Sequence, residues 1–148
     1  MKRKCIMILG MHRSGTSALA GVLDAIGITM GRNLMPPYKD NVKGYFEDLL
    51  IYNFNFQKLF PHLGIKWDST FTLNSGWEDD AGLDDLYVEA EQIINDEYGN
   101  AALFGIKDPR ICRLFPFWNK VLTKMNIELY AILPVRNSLE VAESLKKR

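Results

Sequence analysis

Short apolar runs alternate with longer amphipathic ones along the 148 residues. Residues 5 to 9, CIMIL, form an unbroken apolar run between Lys4 and Gly10, which predicts a buried strand. Positions 15 to 26 are apolar almost all round, the pattern of a helix lying against a sheet. Residues 27 to 45, with Pro36-Pro37, predict an irregular loop, 47 to 60 (EDLLIYNFNFQKLF) a helix, and 61 to 82 a second irregular stretch. From Leu83 to Tyr98, apolar residues at 83, 86, 90, 93 and 94 make a helical stripe that Gly99 ends, with the acids on a solvated face. ALFGI at 102 to 106 reads as a second strand, 110 to 125 as a helix and IELYAILPV at 127 to 135 as a third strand. A last helix begins near Ser138. Strands alternating with helices predict an α/β fold, a three-layer parallel sheet with helices on both faces. Ligands of such sheets bind beyond the carboxyl ends of the strands, so the loops at 10 to 17, 107 to 110 and 136 to 138 should meet there.

Composition narrows the function classes. A chain that is 47% hydrophobic and 24% charged fits a single domain over 1 to 148. Such a domain buries roughly two thirds of its unfolded surface. Lys plus Arg equal Asp plus Glu at 18 each, so no global field favours nucleic acid or a membrane surface. Local charge is uneven. The segment 78 to 97 is acidic, while Arg13, Lys107, Arg110, Arg136 and Arg148 fall beside predicted strand or helix ends, which suggests a focused anion site. Cys5 and Cys112 have no metal-ligand spacing and read as two reduced core cysteines of a cytoplasmic protein. The start MKRK-CIMILGM imitates a signal peptide, but His12-Arg13 interrupts its short apolar run, and no stretch is long enough to span a bilayer.

The stretch GMHRSGTS, 10 to 17, has the glycine spacing of a nucleotide-binding phosphate loop. Gly10 and Gly15 let backbone N–H groups close on an anion, and the following helix adds the positive end of its dipole. In the nucleotide-kinase form of this loop a lysine reaches the phosphates and the last hydroxyl holds Mg²⁺. Here Thr16 stands at the lysine's position. Arg13 instead places a permanent cation inside the loop, and Ser14, Thr16 and Ser17 add hydroxyls, a set suited to an anion without a metal. No strand ending in an acid supplies the second half of a kinase metal site.

These residues resemble the 5′-phosphosulfate loop of sulfotransferases that use 3′-phosphoadenosine 5′-phosphosulfate (PAPS), a family whose fold is related to nucleotide kinases. VRNSLEVAESLKKR, 135 to 148, resembles that family's 3′-phosphate segment, with Arg136 after a strand and Ser144 eight residues later on the next helix. GYFEDL (44 to 49) and FGIKDPR (104 to 110) resemble segments of its bacterial and carbohydrate-type branch. The resemblance implies a sulfotransferase-type fold and transfer of a sulfuryl group from PAPS to a hydroxyl, on a carbohydrate for example, without metal. It implies cofactor contacts from Gly10, His12, Arg13, Ser14, Gly15, Thr16, Ser17, Arg136 and Ser144, and substrate-side roles for Lys107, Asp108 and Arg110. It also implies that residues 1 to 148 lack the domain's C-terminal part. Ser138 stands where the family often has proline.

Negative charge grows on the bridging oxygen that leaves, so a fixed donor there accelerates the step, the role expected of Arg13. Arg136 can fork onto the 3′-phosphate with Ser144 beside it. The acceptor hydroxyl needs a base, and Glu47 is the first candidate, set beside Tyr45 and Phe46 at the start of a predicted helix; an acid in a first turn is also favoured simply by the dipole. Asp108-Pro109 reads equally as a helix cap followed by proline at the first helical position. His12 suits a structural or donor-side contact and His62 a surface position, while Trp67 and Trp77 are candidates either to stack on an acceptor or to pack a loop cover. Two other classes fit part of the pattern: a small-molecule kinase using Mg-ATP, in which another lysine replaces Thr16, and a non-catalytic nucleotide-binding module.

Overall fold

The structure is a computed structural model that describes residues 2–39 and 41–146. Arg148, one of the cations noted above, lies outside the described residues. Three parallel strands, β1 (Lys4–Ile8), β2 (Leu103–Lys107) and β3 (Glu128–Ile132), form one sheet in the order β2-β1-β3. The register sets Cys5 beside Phe104 and Leu129, and Ile8 beside Lys107 and Ile132, so all three strands end level with one another. Helices cover both faces, as expected of an α/β sheet.

The alternation within β1 decides which core each residue joins. Cys5 and Met7, with Phe104 and Ile106 of β2, face the larger core, into which α2 (Leu49–Phe54), α4 (Asp84–Tyr98) and α5 (Ile111–Lys124) send Phe54, Tyr87, Ile94, Phe117 and Trp118. Tyr87 stacks on Phe117 with ring centroids 4.4 Å apart. Burying each of these large side chains is worth roughly 1.5–3 kcal/mol. Ile8 faces the other way, onto Ala20 and Leu23 of α1 (Thr16–Ala25) and onto Ile28 and Met30. Met30 lies directly over the bare backbone of Gly105, where an added Cβ would meet its Sδ.

Several sequence expectations need correction. Only one side of α1 packs on the sheet: Val22 and Ile26 are 58% and 69% exposed, because no element covers the far side of the helix among the described residues. The helix expected over 47 to 60 begins at Leu49, since Asp48 takes extended backbone and its Oδ1 accepts from Leu50 N and Ile51 N as the N-cap; Glu47 lies outside it. That helix continues through a π-turn (Asn55–Leu59), where Phe60 N–H reaches back to Asn55 O, into α3 (Phe60–His62). The third strand is five residues long and half exposed at the sheet edge, with Tyr130 45% and Val135 87% accessible, so 133 to 135 is not strand. Cys112 is not a core residue. It is exposed on the first turn of α5, where its Sγ accepts from Gly10 N at 2.9 Å. The last helix, α6, runs Ser138–Lys146.

Candidate functional site

At the carboxyl ends of the strands the three loops named from the sequence line one cavity of about 630 Å³. Its first wall is the turn from β1 into α1. Gly10 has no room for a side chain, since a Cβ would lie 2.8 Å from both Ser14 Oγ and Thr16 Cγ2. Ser14 Oγ donates to Met11 O at 2.7 Å and ties the turn across its base. Arg13 and Gly15 both adopt left-handed backbone, with φ of 68° and 96°. Glycine does so freely, but arginine does so at a cost on the order of 1 kcal/mol, a strain of the kind found where a loop is shaped for a ligand. Gly15 is the N-cap of α1 and offers no side-chain cap, and no acid sits in the first turn. The amides at this helix start and the helix dipole therefore favour an anion.

The second wall comes from the other end of the chain. Arg13 Nε donates to Ser144 Oγ on α6 at 2.8 Å, across 131 residues of sequence. Arg136 NH1 donates to Arg13 O at 3.1 Å, and its Nε pairs with Glu140 at 2.9 Å. Arg13, Arg136 and Ser144 thus form one patch at the rim of one cavity.

The floor is a buried ionic cluster. Glu47, 4% exposed, receives Lys107 Nζ on Oε1 at 2.6 Å and Arg110 on Oε2 at 2.5 Å. Arg110 Nε also pairs with Asp108 at 2.7 Å, and its guanidinium lies 4.3 Å from the centre of the Tyr52 ring. Asp108 in turn accepts from Asn55 Nδ2 at 2.9 Å, and Asn55 Oδ1 accepts from Trp118 Nε1 at 3.0 Å, so the π-turn anchors the cluster to the core. Burial pushes the Asp108 carboxyl above its ordinary range against the opposing pull of Arg110. Lys107 Nζ reaches Ser17 Oγ as well, at 3.3 Å, where Asn41 Nδ2 donates at 3.2 Å. The hydroxyl that a kinase-type loop offers to a metal is here turned onto an ammonium group.

Of the residues picked from the sequence, His12, Arg13, Gly15, Thr16, Ser17, Glu47, Lys107, Arg110, Arg136 and Ser144 line the cavity, whereas Gly10, Ser14 and Asp108 stand behind its walls. Asp108 is not the cap of a helix that starts at once: α5 begins at Ile111, and Asp108 Oδ1 accepts from Arg110 N at 2.9 Å in the turn before it. His12 meets Trp67 edge to face at 5.3 Å, so this tryptophan packs against the loop. Trp77 lies partly buried against the larger core, away from the cavity.

The opposite wall went unread in the sequence. Met35, Pro36, Pro37, Tyr38, Tyr45 and Tyr52 make it, and apart from Glu47 beneath them they carry no charge. A proline pair and a scattering of tyrosines have no period or spacing to mark them. Asn55 was hidden inside a helical run for the same reason. Among the described residues no group of His, Cys, Asp and Glu side chains is placed to hold a metal ion, and no helix is long and apolar enough to cross a membrane. Compared with protein-family models, known proteins and solved structures, the chain matches none, so its functional reading rests on the geometry above.

Proposed function

We propose that this chain is the nucleotide-binding part of a PAPS-dependent sulfotransferase, with a phosphate-loop fold of the kind found in nucleotide kinases, transferring a sulfuryl group to a hydroxyl on a neutral acceptor such as a carbohydrate. One observation carries the reading: Arg13 of the phosphate loop is hydrogen-bonded to Ser144 and carries Arg136 on its backbone carbonyl, so two anion-binding elements from opposite ends of the sequence share one cavity. A nucleotide with anions at both ends needs such a pair. The cavity is also cationic, with Arg13, Lys107, Arg110 and Arg136 against Glu47 alone among its lining residues.

In this reading the loop amides, Thr16 and Ser17 hold the 5′ end, and Arg136 with Ser144 the 3′-phosphate. The donor supplies an activated sulfuryl group. Arg13 sets fixed positive charge at the oxygen that leaves; arginine does not give up its proton, so it acts as a charge and not as an acid. Glu47 accepts the proton of the incoming hydroxyl. As it does so, Lys107 and Arg110 lose their counter-charge and turn their field onto the group in transfer. The uncharged wall of Pro36, Pro37, Tyr38 and Tyr45 suits the face of a sugar ring.

The kinase alternative is disfavoured by Ser17, since a metal ion there has to displace the Lys107 ammonium. Affinities for adenosine 3′,5′-bisphosphate and for 5′-AMP test the assignment. Arg136→Ala should weaken the bisphosphate at least tenfold and 5′-AMP by less than threefold. Equal losses for both ligands refute the 3′-phosphate contact.

A further inference from the structure

A second pair of buried acids, Asp48 and Glu97, does not line the cavity and has no part in the reading above. Asp48 is 3% and Glu97 2% exposed. Glu97, from α4, holds the backbone of the loop that leads into the wall: its Oε2 accepts from Arg32 N at 2.8 Å and Asn33 N at 3.0 Å, and its Oε1 from Asn33 Nδ2 at 2.5 Å. Asp48 caps α2 with Oδ1, while its Oδ2 has no donor among the described residues. A buried carboxylate oxygen without a donor is costly. A protonated carboxyl resolves this, because Asp48 then becomes a donor, and the carboxylate of Glu97 lies beside it to accept.

The surroundings keep the pair together. Gly31 makes room for the acid, since a Cβ there would sit 2.5 Å from Asp48 Oδ2. The segments on either side are laced as a short antiparallel pair, with Met35 N donating to Glu47 O at 2.7 Å and Leu49 N to Asn33 O at 2.8 Å. The groups that face the pair are few. From α4 comes Tyr98, whose buried hydroxyl burial holds well above its ordinary range; from the start of the chain come Arg3, packed on Phe104, and the Cys5 thiol, which burial also pushes up; from the loop comes Arg32, whose guanidinium lies against Gly99. Among the described residues neither the Arg3 nor the Arg32 guanidinium forms a hydrogen bond or ion pair with either carboxylate, so no cationic side chain is paired with a second negative charge.

We infer that Asp48 and Glu97 form a proton-sharing latch that holds the 31–38 segment, and with it one wall of the cavity and the backbone beside Glu47, and that loss of the shared proton loosens this wall. The acid that gives up the proton is Asp48, raised to about 7 chiefly by burial and by Glu97, whereas Glu97 is lowered because Asp48, Arg32 and Asn33 together outweigh its burial. The latch therefore closes below neutral pH and opens above it. It stands independently of sulfuryl transfer.

The test is made on the ligand-free chain. Carboxyl carbon NMR of the wild type should show Asp48 titrating close to neutral pH while Glu97 stays ionised, and the amides of Arg32 and Asn33 should lose at least tenfold of their exchange protection between pH 6 and pH 8.5, after correction for intrinsic exchange. Asp48→Asn keeps the helix cap and supplies a permanent donor to Glu97, so in that variant the protection should be the same at both pH values. If Asp48 titrates in the ordinary carboxyl range, or if Asp48→Asn shows the wild-type pH dependence, the latch is refuted. Should the variant not fold, the wild-type titration alone decides.

Discussion

Removing the charge of Glu47 without changing its shape is the sharpest perturbation of the floor. Its side chain is 6% exposed and those of Lys107 and Arg110 are 2% and 9%, so Glu47→Gln leaves two cations beside one another with only Asp108 near them. Breaking a buried pair by removing one partner costs about 3–5 kcal/mol. For a chain of this length that lowers the melting temperature by roughly 10 °C. Urea unfolding at pH 7 with a two-state fit measures it. Because the cost comes from uncompensated positive charge, Glu47→Gln/Lys107→Met should recover at least half of it, and inorganic sulfate should protect the single variant more than the wild type. A loss under 1 kcal/mol, or no recovery in the double variant, refutes the view that Glu47 is the counter-charge of the cluster.

Other outcomes follow from the same geometry. Gly10→Ala forces Ser14 and Thr16 apart and should cost about 1–3 kcal/mol of stability, with at least tenfold loss of bisphosphate affinity by calorimetry; unchanged affinity contradicts the loop's role. Asn55→Ala strips partners from both Asp108 and Trp118 and should cost about 2–4 kcal/mol, read in urea, and a neutral result means water or repacking replaces the amide. Asp48 is raised from 3.8 to about 7, so the folded chain holds that proton more tightly than the unfolded one, and stability should fall as pH rises from 4 to 7 and level off above. The fall is on the order of 2 kcal/mol, half of the full value because the surroundings relax around the new charge, and thermal melts of wild type against Asp48→Asn isolate it.

Much of this architecture was legible before any coordinates. CIMIL and ALFGI are apolar runs with clear punctuation, and the two glycines of GMHRSGTS fix a turn that has few other conformations. The convergence of Arg13 with Arg136 and Ser144 follows from parallel strands ending on one side. Less legible was the partnership among charges. The sequence sets Lys107 and Arg110 at the ligand edge, but which cation meets which carboxylate depends on side-chain reach across 60 residues or more. Glu97 looked like one more acid of a solvated helical face, because the period of α4 does not say that a loop from 31 to 34 lies over it. The true end of the third strand and the open outer side of α1 are illegible for a related reason: apolar composition shows what can be covered, and only tertiary neighbours decide what is.

The most direct test is calorimetric titration of the wild-type chain with adenosine 3′,5′-bisphosphate in the presence of EDTA. Saturable one-to-one binding in the micromolar range, lost on Arg13→Ala and unaffected by added Mg²⁺, is the predicted result. Failure to bind the bisphosphate, together with Mg²⁺-dependent binding of ATP, contradicts the account.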